Sequence, residues 1–433
     1  MSIEMIGVIG VLSMFILMAL RVPIAIAMVL PAVVGIYYLK GGMSLATTIE
    51  SIFWTQSTNY ALSTIPMFIL MGEFLFVSGV TNDLFYTFRK WFGHLRGGMA
   101  IATIGASAGF AAASGSSIAT TGTIGVITAR EMLKAGYDKA LTGGSIVAGG
   151  TLGILIPPST ILILYGMLTG ESIGKLLIAG IIPGILLTLL FILTIVISVA
   201  LNPKLAPKGE SSTWKERFSS LKYTIWILGL FIVVIGGMYI GLFSPTEAAA
   251  VGAFGSFLIA AVRRKMSWEN CKTSLVNTLK STGFLFAIVL GSFSLNHLLV
   301  ITHLPGALVS FITDLDMSKW MIFVIIIIIY IILGAFMDSL SMVVVTVPIL
   351  LPVVQSLGFD LIWFGIIIVL VIEMGLITPP VGMSCFVLNG VVKELDLGTI
   401  FKGAFRFLIP ILVLVALLYI FPNIALYLPN KMF

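Results

Sequence analysis

Two double prolines, each buried in a long apolar stretch, constrain this chain more than any other feature. Gly153-Ile154-Leu155-Ile156-Pro157-Pro158 and Gly375-Leu376-Ile377-Thr378-Pro379-Pro380 both interrupt apolar runs. Each is preceded by a polar gap, Ser114-Gly115-Ser116-Ser117 in one case and Asp338-Ser339-Leu340-Ser341 in the other. Proline removes a backbone donor and clashes with the carbonyl four residues back. At membrane depth such breaks survive only where protein or a water-filled cavity satisfies the freed backbone groups. Paired breaks in the two halves of a chain predict a binding site between them, the arrangement of secondary transporters.

The two stretches are related by a fixed spacing. Gly136-Tyr137-Asp138 recurs as Gly358-Phe359-Asp360, Pro157-Pro158 as Pro379-Pro380, Pro23 as Pro245 and Ala27 as Ala249, always 222 residues apart. Apolar runs of roughly 18 to 25 residues mark spans, and their order repeats. In the first half spans are expected at 3–20, 21–40, 67–80 and 173–201, with a helix-compatible polar stretch at 44–60 and an amphipathic interfacial segment at 83–96. A hairpin is expected over 97–134 and a broken helix over 141–168. The stretch 202–222 reads as a basic, loop-like linker.

In the second half the spans fall at 223–243, 245–262, 281–300 and 405–421, the hairpin at 320–357 and the broken helix at 361–392. There 263–280 reads as interfacial and 302–318 as a short polar connection. This predicts an all-α polytopic membrane protein of two repeats, 1–201 and 223–433, each with five crossings and a re-entrant hairpin. An odd number of crossings inverts the second repeat relative to the first. Counted this way, 20 of the 24 Lys and Arg residues fall on one side, which the positive-inside rule assigns to the cytoplasm. Both termini are then expected on the periplasmic side.

Composition agrees with a membrane protein. Residues are 59% hydrophobic and 10% charged, with a mean hydropathy of +1.15, against about 25% charged in soluble domains. The net charge of +6 resides in short loops, and no nucleic-acid module is visible. Cys271 and Cys385 stand far apart without metal-ligand spacing, which supports neither a disulfide framework nor a zinc site. Met1-Ser2-Ile3-Glu4 lacks the basic start of a cleavable signal, so the first apolar run is expected to be retained. No soluble substrate-capturing domain has room here, and any such module is expected to be a separate protein.

The polar gaps carry the candidate chemistry. Ser114, Ser116, Ser117 and Thr120 could coordinate a hard cation through oxygen; small residues also simply let helices approach. Asp338 stands 222 residues after Ser116. A carboxylate at membrane depth marks a functional site by default, and this one could equally cap the helix that follows through Ser341. Carbonyls released at the double prolines, with Thr378, could ligate a cation, while the half-helix starts beyond them favour an anion. Glu73, Glu247 and Glu373 are the other acids within spans. No Lys or Arg falls in a span core, so the charge of an acidic solute must be met by helix N-termini, hydroxyls and co-bound cations.

Taken together, Ile65-Pro66-Met67-Phe68 with Gly72-Glu73, the stretches 109–125, 153–160, 334–348 and 375–382, and Pro245-Thr246-Glu247-Ala248-Ala249-Ala250 resemble the large membrane subunit of the tripartite ATP-independent periplasmic (TRAP) transporters, over essentially the whole chain. The resemblance implies sodium-driven uptake of small carboxylates across the bacterial inner membrane. It also implies a separate small membrane subunit, a periplasmic substrate-binding protein, and an elevator in which hairpins and broken helices move against a scaffold. One sodium site would use Ser114, Gly115 and Ser116 with Gly153, Ile156 and Pro157. A second would use Asp338, Ser339 and Ser341 with Thr378 and Pro379. The substrate would sit between the tips, near Ser116, Ser117, Thr120, Ser159, Thr160, Ser341, Gly382 and Met383.

Three other readings compete. An intramembrane enzyme lacks a visible constellation, since only His94, His297 and His303 exist and none stands in a metal-binding pattern. A passive channel would need no cation sites. A stand-alone elevator carrier would take its anion without a binding protein.

Overall fold

The computed structural model describes residues 2–209, 211–315 and 317–432, and among these the chain is helical with no strand. The expected outer limits at 1 and 433 lie outside the described residues. In order the helices are α1 (Ile3–Ala19), α2 (Ile24–Ser57), α3 (Thr64–Ser78), α4 (Val80–Phe92), α5 (Gly98–Ser114), α6 (Ser117–Lys134), α7 (Lys139–Thr151), α8 (Thr160–Thr169), α9 (Ile173–Ala179) and α10 (Ile181–Leu201). There follow α11 (Trp214–Phe231), a π-helical turn, α12 (Gly237–Tyr239), α13 (Pro245–Val262), α14 (Trp268–Ile301) and α15 (Leu304–Asp314). The last are α16 (Lys319–Gly334), α17 (Ser339–Ser356), α18 (Leu361–Leu376), α19 (Met383–Val391), α20 (Leu397–Ile420) and α21 (Asn423–Leu426). Among the described residues, eight helical stretches are long and apolar enough to cross a membrane. Large apolar side chains such as Ile16, Leu201 and Ile409 are exposed, as suits a surface facing lipid tails.

Element boundaries fall at the spacing seen in the sequence. α6 and α17 start at Ser117 and Ser339 and end at Lys134 and Ser356; α7 and α18 start at Lys139 and Leu361. The caps match as well. Asp138 accepts a hydrogen bond from Leu141 N at 2.9 Å, and Asp360 one from Trp363 N at 2.9 Å, each satisfying an orphan donor of the first turn. Pro157-Pro158 and Pro379-Pro380 are both cis. α2 contains a non-helical Gly41 (φ 77°), which separates a spanning arm from a more polar one.

The centre of the protein is built on α7 and α18, which are buried from Ala140 to Thr151 and from Ile362 to Leu376. α18 is apolar around its whole circumference, as a helix with no solvent face must be. α7 reaches its neighbours through small residues: a Cβ at Gly144 would lie 2.5 Å from the Gly403 carbonyl carbon of α20, the close approach that glycine permits between membrane helices. The returning helix of each hairpin packs on the broken-helix tail from the other half, α6 on α19 and α17 on α8.

Three segments differ from the sequence expectation. Residues 202–222 are not loop throughout: α11 begins at Trp214, started by a capping box between Thr213 and Glu216, a pairing that satisfies two orphan donors reciprocally. Within 302–318 the chain forms α15 instead of a bare connection, the counterpart by spacing of α4. The interfacial segment 263–280 and the span 281–300 are largely one continuous helix, α14, which contains no proline to break it.

Candidate functional site

The first polar gap is a tight turn between α5 and α6. Gly115 ends α5 in the left-handed conformation (φ 58°), and Ser116 is extended and caps α6. A Cβ on Gly115 would lie 2.7 Å from the Pro158 carbonyl oxygen, so the turn sits directly against the first double proline. Thr160 Oγ1 closes the contact by donating to the Gly115 carbonyl at 3.0 Å. Within the turn, Ser114 Oγ and Thr120 Oγ1 are 2.7 Å apart, and Thr120 also donates to the Ser116 carbonyl at 2.8 Å. Gly153 faces the same atoms: a Cβ there would lie 2.6 Å from Ser116 O and 2.8 Å from Thr120 Oγ1. Hydroxyl and carbonyl oxygens thus gather in a space that a methyl group would fill, which fits a small hard cation.

The second gap is built around a carboxylate. Asp338 caps α17, accepting from Leu340 N and Ser341 N at 3.2 Å each, and Ser341 Oγ donates to its other oxygen. Asp338 is partly buried, while Ser339 and Ser341 are buried. Here too the broken helix comes close, since Cβ atoms on Gly334 and Gly375 would meet the opposing backbone at 3.0 and 2.6 Å. Val381 N donates to the Ala335 carbonyl at 3.2 Å.

The two gaps meet. Ser116, Ser117, Thr160, Asp338, Ser339 and Leu340 line one small cavity of about 60 Å³, so the starts of α6, α8 and α17 converge there. Three helix N-termini lining one cavity make a strong setting for an anion. Beside it a larger cavity of about 380 Å³ is lined by Ser114, Ser116, Thr123 and Thr160, and across from them by Glu73, Asn277 and Ser281. Asn277 Nδ2 donates to Glu73 Oε2 at 3.1 Å. Neither cavity has a Lys, Arg or His in its lining. A further cavity of about 550 Å³ between α4, α5, α10 and α11 is lined mainly by apolar side chains.

Other residues singled out in the sequence lie at the edges. Ser159 caps α8 through Leu162 N at 3.2 Å and is buried. Thr378 Oγ1 turns back to the Met374 carbonyl at 2.6 Å. Ile156 lines the apolar cavity, and Pro157 follows it in the break. Gly382 is left-handed (φ 56°) and packs on Phe401, with Pro379 before it and Met383 opening α19. Glu247 completes a capping box with Ser244 at the start of α13. One contact that the sequence does not announce joins the halves: Ser117 Oγ donates to Glu373 Oε1 at 2.5 Å.

An all-helical membrane protein whose discontinuous helices bring hydroxyls, a carboxylate and three helix starts together is built as a solute carrier. The chain belongs to the tripartite ATP-independent periplasmic transporters, as their DctM component: that family model matches residues 11–424. It is 37% identical over 376 residues to the C4-dicarboxylate TRAP transporter large permease protein DctM of Pseudomonas aeruginosa, covering 86% of this chain and 87% of that protein. It is 31% identical over 429 residues to the ectoine TRAP transporter large permease protein TeaC of Halomonas elongata, covering 98% and 99%. In fold it is similar to the solved YdaH transporter of Alcanivorax borkumensis, with a TM-score of 0.62 over 90% of each chain at 12% identity.

Proposed function

We propose that this chain is the substrate-translocating subunit of a sodium-coupled importer of small organic acids in the bacterial inner membrane. The observation that carries the reading is the convergence of both polar gaps, Ser116 from one half and Asp338 from the other, on one cavity with three helix starts. The similar proteins named for C4-dicarboxylate and ectoine point to solutes that share a carboxylate group. With no basic side chain in the lining, helix N-termini and co-bound cations supply the counter-charge.

In this reading one sodium ion is held by the first turn with Gly153, Ile156 and Pro157, and another by Asp338, Ser339 and Ser341 with Thr378 and Pro379. The solute lies between the tips. Each net positive charge moving inward gains about 2.3 kcal/mol per 100 mV of membrane potential, which drives accumulation when coupled. Residues 1–201 and 223–433 act as inverted halves, with hairpins and broken helices moving as an elevator against the remaining spans. Both termini lie in the periplasm and the basic loops in the cytoplasm. A small membrane subunit supports the chain, and a periplasmic binding protein delivers the solute.

The test is uptake by proteoliposomes holding this chain with its small membrane subunit. The expected result is accumulation above the outside concentration only with an inward sodium gradient and an added binding protein. Flux that merely equilibrates would mark a channel, and full uptake without the soluble protein would mark a stand-alone carrier.

A further inference from the structure

A carboxylate that neither proposed sodium site uses lies at the centre of the protein. Glu373, near the end of α18, is only 1% exposed. Its Oε1 accepts from Ser117 Oγ, while Oε2 is buried and, among the described residues, has no hydrogen-bond partner. Thr121 lies one helical turn beyond Ser117, on the same face of α6, and its Oγ1 is likewise fully buried and unpartnered. Both residues face α7 at Gly150, where a Cβ would collide with Thr121 Oγ1 and come within 3.3 Å of the Ser117 carbonyl oxygen. Oxygens of α6 therefore gather where α7 contributes no side chain, and Ser117 links them to the Glu373 carboxylate of α18.

The four ion pairs among the described residues all lie elsewhere. A buried charge without a partner is costly, the more so at membrane depth, so the acid is neutralised either by a proton or by a cation from outside the chain. A single carboxylate balances a single positive charge, and carboxylate, hydroxyl and carbonyl oxygens select a hard cation. We propose that Glu373, Ser117 and Thr121 bind an additional sodium ion, which joins α6 of the first half to α18 of the second. This deepens the function proposed above and rests on it.

The experiment counts radioactive sodium bound at saturation by the purified membrane complex, parent against Glu373→Gln. Glutamine keeps an oxygen to accept from Ser117, so the hydrogen bond survives and only the charge is removed. The expected result is one sodium ion fewer per complex and a less steep sodium dependence of uptake. Thr121→Val, similar in shape, is expected to raise the half-saturating sodium by about tenfold, the scale on which a lost metal contact acts. A Glu373→Gln complex that binds as many ions as the parent overturns the proposal, as it would if a proton neutralised the acid. Should that variant fail to fold, a Thr121→Val complex with the parent's sodium curve overturns it. A parent complex that binds no sodium overturns the proposed coupling as well.

Discussion

Gly153 shows how the site depends on the absence of a side chain. Its would-be Cβ lies 2.6 Å from the Ser116 carbonyl oxygen and 2.8 Å from Thr120 Oγ1, and the Ser116 backbone has little room to shift. Gly153→Ala is therefore expected to cost about 1–3 kcal/mol, as overpacking does, and to raise the half-saturating sodium of uptake; thermal unfolding and a sodium titration check the two parts. At this scale the sequence was informative where chemistry broke a pattern. Ser116, Asp338 and Gly153 stood out because hydroxyls, a carboxylate and prolines interrupt apolar runs. The Ser117–Glu373 hydrogen bond was not legible, because it joins residues 256 apart and nothing in the apolar stretch around Glu373 names its partner. Thr378 Oγ1 donates to the Met374 carbonyl four residues back, which uses its proton and leaves its lone pairs for a cation.

Among the elements, caps determine where helices begin. Asp138 caps α7 and also ties the following linker to it, since its N–H donates to the Leu205 carbonyl at 2.9 Å. Asp138→Ala is expected to destabilise the protein by about 1 kcal/mol, read as a lowered unfolding temperature, without moving the sodium curve. The helical start at Trp214 was hidden by the basic residues around it, although the Thr213 and Glu216 pair was a readable signal. α15 was obscured by its shortness, eleven mostly apolar residues with Pro305 and Gly306 at its start. The helix breaks at Gly115, Asp338 and the two double prolines were visible in the sequence because proline, glycine and hydroxyl residues mark breaks more plainly than apolar composition marks lengths.

For the whole molecule, the proposal requires two halves that run in opposite directions through the membrane. Lys319 and Lys402 are both exposed and fall on opposite sides by the charge count. In a background without Cys271 and Cys385, a membrane-impermeant thiol reagent applied from the periplasmic side is expected to label Lys319→Cys and not Lys402→Cys. Labelling of both from one side would contradict the orientation that the charge count assigns to the second half. The most direct test of the central claim, that both polar gaps hold cations beside an acidic solute, is the sodium dependence of uptake by Asp338→Asn. Asparagine caps a helix as well as aspartate does, so folding is retained while the charge is lost. The predicted result is a half-saturating sodium concentration raised by about tenfold, equal to a loss of about 1.4 kcal/mol in binding. An unchanged sodium curve in a folded Asp338→Asn complex would contradict it.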